Sequence, residues 1–84
     1  MAVFVRKATE EEAVLMRRGT IWECGVSEFN WHYDNDETCM LVEGQAKVTF
    51  AGESVSLAVG DIAYFPKGLD CVWQVLSPVK KYYR

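Results

Sequence analysis

The chain has no C-x-x-C pair. Its three cysteines, Cys24, Cys39 and Cys71, stand far apart, which excludes the common zinc and dithiol redox motifs and an even disulfide framework. Reduced thiols are expected. No stretch approaches the roughly 18 consecutive apolar residues of a membrane-spanning helix. The N-terminus also lacks the apolar core of a signal peptide, because the short run from Ala2 to Val5 gives way to Arg6, Lys7 and then Glu10, Glu11 and Glu12. A cytoplasmic protein with no membrane partner is the expectation. Positive charge is not in excess either: 9 Lys and Arg against 12 Asp and Glu leave a net charge of -3, the wrong sign for attracting a phosphate backbone, so no nucleic-acid partner is expected. There is no G-x-x-x-x-G-K-[ST] phosphate loop, and Asp34-Asn35-Asp36 lacks the glycine and distal glutamate of a calcium loop, so it reads as a turn. No internal repeat, linker or low-complexity tract divides the chain.

Half of the 84 residues are hydrophobic and 13% are aromatic, enough apolar surface for one globular domain over residues 1–84. A domain of this length buries only about 60–65% of its unfolded surface, which makes a homodimer an expectation. Thr9-Glu10-Glu11-Glu12 fits a capping box and predicts a short helix over about residues 10–18, with Arg17 and Arg18 in its last turn and Gly19 beyond. A strand is expected over Ala2 to Arg6. From Thr20 onward the chain reads as β-structure, cut by turn signals at Asp34-Asn35-Asp36, Glu43-Gly44, Ala51-Gly52, Gly60-Asp61 and Pro66-Lys67-Gly68. Ala46, Val48 and Phe50 alternate with polar residues, as do Val55 and Leu57, and a closed antiparallel barrel or jelly roll follows. Lys80, Lys81 and Arg84, interleaved with Tyr82 and Tyr83, read as a terminal edge strand whose lysines block pairing with other chains.

The spacing of Gly25, Trp31, Tyr33, Glu37 and Gly44, followed by Gly60, Pro66, Gly68, Cys71 and Val75, resembles the two motifs of the cupins. The first motif, G-x5-H-x-H-x3-E-x6-G, covers about residues 25–44 and the second about 60–75. The resemblance implies an all-β, single-domain cupin jelly-roll barrel (RmlC-like) with one short N-terminal helix. The wording Phe29-Asn30-Trp31-His32-Tyr33-Asp34, Val42-Glu43-Gly44, Gly60-Asp61-Ile62 and Phe65-Pro66-Lys67-Gly68, with Trp73 and Pro78-Val79-Lys80-Lys81-Tyr82, resembles the small stand-alone (S)-ureidoglycine aminohydrolase-like cupin domains. It implies no settled activity.

In cupin enzymes the two histidines and the glutamate of the first motif and the histidine of the second hold a divalent metal. The matching positions here are Trp31, Tyr33, Glu37 and Cys71, so only the carboxylate remains and neither a metal nor another cofactor is expected. If a metal were held, Glu37, Cys71 and Cys39 would be the ligands. The single histidine, His32, lies one residue from both Trp31 and Tyr33 and by strand parity points away from them, which also leaves Cys71 without an imidazole base. Parity gathers Trp31, Tyr33, Glu37, Cys39, Cys71 and Trp73 on the inner face. Either these residues fill a small barrel, or its mouth stays open and binds a small polar organic molecule. The second reading is favoured because a glutamate is almost never left unpaired in a core. With no inward-facing cation evident, burial is expected to favour the uncharged acid of Glu37. In an aminohydrolase- or isomerase-like alternative, Glu37 acts as catalytic acid or base. A non-catalytic structural barrel is the remaining one.

Overall fold

In the computed structural model, which describes residues 2–84, the chain builds β1 (Phe4–Lys7), α1 (Glu10–Met16), β2 (Thr20–Cys24), β3 (Ser27–His32), β4 (Glu37–Phe50), β5 (Glu53–Leu57), β6 (Asp61–Phe65) and β7 (Asp70–Tyr83). All strand pairs are antiparallel. The seven strands run in the order β1-β6-β4-β7-β2, with β3 also on β7 and β5 also on β4. β4 and β7 form the spine, and each takes two shorter strands in succession along its outer side. β4 pairs first with β6 and then with β5, while β7 pairs first with β3 and then with β2. This doubles the sheet over a shared core as a jelly roll. The sheet is not closed, because among the described residues no ladder joins β1 or β5 to β2 or β3.

The capping box forms as expected: Thr9 Oγ1 accepts from the Glu12 N–H, and the Glu12 carboxylate accepts from the Thr9 N–H. The helix ends earlier than expected, at Met16, with Arg17 as its C-cap and no basic residue in its last turn. Arg18 and Gly19 turn back by three-residue bonds to Leu15 and Met16, which tightens the exit. The first strand is displaced by two residues from the expected start, to Phe4–Lys7.

Glu43-Gly44, expected as a turn, lies inside β4. The ladder with β7 slips between Leu41 and Ala46, and Gly44 adopts φ +85°. The irregularity reverses the side-chain parity of the strand. Cys39 and Leu41 face the main core before it, and Ala46, Val48 and Phe50 face that core after it. Met40 instead joins Met16 and Ile62 beneath the helix. Proline is normally excluded from central strands. Pro78 is accommodated in β7 where that strand changes partner, between the Val75↔Ser27 and Val79↔Cys24 pairs.

Candidate functional site

Antiparallel register places directly opposed residues on the same face of a sheet. On the side of β7 away from β4 it sets Phe29 against Trp73, Trp31 against Cys71 and Trp22 against Lys81. All of these side chains except Cys71 build one wall of a cavity of about 130 Å3, lined by Trp22, Phe29, Trp31, Glu37, Trp73, Lys81 and Tyr83. All three tryptophans of the chain meet there. The Phe29 and Trp73 rings lie parallel, 2° apart in plane with centroids at 6.5 Å. Trp22 meets Trp73 edge-on at 6.2 Å. Trp31 stands at the rim, 46% exposed, with its ring edge-on to both Phe29 and Tyr33.

The polar element of the cavity is an ion pair. Lys81 Nζ donates to Glu37 Oε2 at 3.0 Å, with side-chain exposures of only 8% and 17%. The ammonium also lies over the rings of Trp73 (4.6 Å) and Trp22 (4.9 Å), where the negative faces of the π-systems add to its stabilisation. Two expectations fall here. β7 is not an edge strand, since β4 pairs with it on one side and β2 and β3 on the other, and Lys81 turns inward rather than guarding an edge. Glu37 is also not an isolated acid among rings and thiols, because Lys81 is the inward-facing cation absent from that picture.

Of the six residues assigned to the inner face, Trp31, Glu37 and Trp73 line the cavity. Tyr33, Cys39 and Cys71 belong to the packed core beside it. Tyr33 stacks on Phe65 with centroids 4.9 Å apart, and its oxygen accepts from the Trp73 indole N–H at 3.1 Å. Burial raises its phenol well above the ordinary range. Burial likewise pushes the Cys39 and Cys71 thiols up to about 11. The Cys71 thiol donates to the Trp31 carbonyl at 3.7 Å. His32 lies on the exposed face, its Nδ1 at 2.7 Å from Asp70 Oδ1.

The four positions that hold a metal in cupin enzymes do not form a donor set here. An indole has no lone pair to offer, the Tyr33 hydroxyl is engaged by the Trp73 indole N–H, the Cys71 thiol turns to the Trp31 carbonyl, and the charge of Glu37 is answered by Lys81. The fallback set of Glu37, Cys71 and Cys39 is not brought together: among the described residues no three His, Cys, Asp or Glu side chains are grouped closely enough to hold a metal ion.

Four lining residues, Trp22, Phe29, Lys81 and Tyr83, were missed by the sequence reading. Lys81 and Tyr83 share the odd parity of Cys71 and Trp73 along β7, and Phe29 shares that of Trp31, so the alternation held a signal for three of them. Trp22 follows only from the register of β2 against β7.

The EutQ-like cupin domain model (Cupin_3) matches residues 10–83, from the helix through the end of β7. Comparison with curated proteins gives no match. Among solved structures, a DUF861 family protein from Thermotoga maritima is 43% identical, with a TM-score of 0.93 over 99% of this chain and 98% of that one. The Clostridium difficile EutQ protein is 22% identical with a TM-score of 0.71, over 96% of this chain and 64% of that one. A putative ethanolamine utilization protein Q from Salmonella typhimurium is 23% identical with a TM-score of 0.70, over 99% and 68%. The last two show the shared fold alone. The doubled sheet is therefore the fold of its relatives, and the chain belongs to the EutQ-like cupin domain family.

Proposed function

We propose that the protein is a small-molecule-binding cupin that takes a small polar organic molecule between the aromatic walls of its cleft, without a transition metal. The observation that supports this most is the Lys81–Glu37 pair, a nearly buried donor and acceptor at a cavity otherwise walled by aromatic rings. Ion pairs placed in apolar surroundings are weak stabilisers, because desolvation offsets most of their attraction. A few convergent polar groups among aromatic walls suit a ligand site. The core beside the cleft is filled by Tyr33, Cys39, Cys71 and Phe65, so binding belongs to the cleft rather than to the centre of the jelly roll.

A second reading draws on the resemblance to aminohydrolase-like cupins and on the same pair. In it Glu37 accepts a proton from the bound molecule or returns one, with Lys81 holding it in place. The test common to both is a fragment screen read by the indole N–H resonances of Trp22, Trp31 and Trp73. Binding fragments shift these signals in the wild type and bind at least tenfold more weakly to Trp31→Ala. If no soluble small molecule moves any indole signal, the binding reading is overturned in favour of a structural barrel.

A further inference from the structure

The cleft's charges are closed on themselves before any ligand arrives. Lys81 gives one N–H to Glu37 Oε2 and has two more, with its Nζ lying over the rings of Trp22 and Trp73. Glu37 receives that one bond at Oε2. Among the described residues no side-chain nitrogen or oxygen is both buried and unpartnered, so its Oε1 keeps access to solvent. A donor and an acceptor therefore sit side by side, with a sum of charge near zero, against flat apolar walls formed by Phe29, Trp31 and Trp73.

We infer that the cleft selects an uncharged, flat molecule presenting a carbonyl oxygen and an N–H on one edge, a primary amide being the simplest case. This deepens the small-molecule reading and rests on it. The carbonyl accepts from Lys81, the amide N–H donates to Glu37 Oε1, and the ring of the ligand lies against the aromatic walls. A carboxylate of the same shape satisfies Lys81 but sets a second negative charge beside Glu37. An ammonium satisfies Glu37 but faces Lys81. In a site this poorly hydrated, either like-charge approach outweighs the one hydrogen bond it adds.

The test is a matched panel of benzamide, benzoate and benzylammonium, titrated into the wild-type protein at pH 7 and followed by indole N–H shifts and calorimetry. Benzamide is expected to bind at least tenfold more tightly than either charged analogue. Glu37→Gln leaves the Lys81 charge unanswered and is expected to invert the order, with benzoate tightest. Lys81→Met is expected to favour benzylammonium. Should either variant fail to fold, the wild-type ranking alone decides. Benzoate or benzylammonium matching benzamide in the wild type overturns the inference. If other fragments move the indole signals while benzamide does not bind, the charge rule fails and the binding cleft stands. If nothing moves them, both readings fall together.

Discussion

Gly44 and Pro78 pass each other with no room between them, at the point where the two longest strands slip register. A β-carbon on Gly44 would lie 2.7 Å from the Pro78 carbonyl carbon and 2.8 Å from the Ser77 oxygen, and the residue already holds φ +85°. Gly44→Ala therefore meets both backbone strain and a collision with main chain that cannot rotate away. It is expected to cost about 2–4 kcal/mol, the sum of the two effects. Urea unfolding monitored by tryptophan fluorescence measures it, and a loss under about 0.5 kcal/mol, the level of an ordinary surface substitution, contradicts the account.

Removing one member of the Lys81–Glu37 pair strands the other charge in a nearly dry site. Glu37→Gln and Lys81→Met should each destabilise by about 3–5 kcal/mol, whereas the double variant recovers most of the loss. Chemical denaturation of the three variants gives the coupling directly. Additive losses would mean that the two groups do not depend on each other.

Trp31 and Tyr33 look alike in the sequence, as neighbouring inner-face aromatics, but the structure separates them. Trp31 is 46% exposed at the rim, while Tyr33 is 3% exposed and held between Phe65 and Trp73. Tyr33→Ala should cost about 3–5 kcal/mol, as for a packed core aromatic. Trp31→Ala should stay under about 1.5 kcal/mol while weakening ligand binding. Thermal melts of the two variants side by side check the contrast.

Thiol chemistry follows burial. Cys39 and Cys71, with thiols pushed up to about 11, carry almost no thiolate at pH 8 and are shielded. Cys24 is only half-buried. Native protein should give one fast-reacting thiol with a disulfide reagent, and unfolded protein three. Rapid modification of Cys71 in the native state would show that the sheet opens wider there than the structure allows.

Acid lability has an identifiable contributor in Glu12. Its carboxyl is drawn down to about 2, first by the bidentate hydrogen bonds from Arg6 and then by the Thr9 N–H. A carboxyl whose folded value lies below its unfolded one stabilises the fold above the unfolded value, and that contribution fades as the pH falls toward the folded one. The stability difference between wild type and Glu12→Gln should therefore be full at pH 6, shrink below about pH 4.5 and vanish near pH 2. A difference that persists unchanged to pH 2 would mean that Glu12 acts by its shape alone.

The sequence exposed what is periodic and local. The capping box at Thr9–Glu12, the turns at Ala51-Gly52 and Pro66-Lys67-Gly68, and the jelly-roll class were all legible, because each depends on residues near one another in the chain or on strand parity. What stayed hidden depends on which strands become neighbours. Lys81 reads as a terminal charge until β7 is known to lie between β4 and β2. Glu43-Gly44 reads as a turn because a glycine with positive φ serves a hairpin and a bulge equally well. Cys39 and Cys71 have the right parity for a pocket, but parity gives only the face and not the depth.

The position of β7 also bears on how the chain is made. Of the seven described strands β7 is made after the others, yet it is an inner strand of the sheet and the only partner that β2 and β3 have among the described residues. During synthesis β2 and β3 therefore wait with their backbone amides unpaired, and the aromatic side chains of Trp22, Phe29 and Trp31 stay in water until residues 70–83 emerge. This half of the sheet is completed in one late step instead of growing strand by strand. A ribosome-bound chain stalled with residues up to 69 clear of the exit tunnel would display a sticky, half-built sheet, and chaperone capture should peak there.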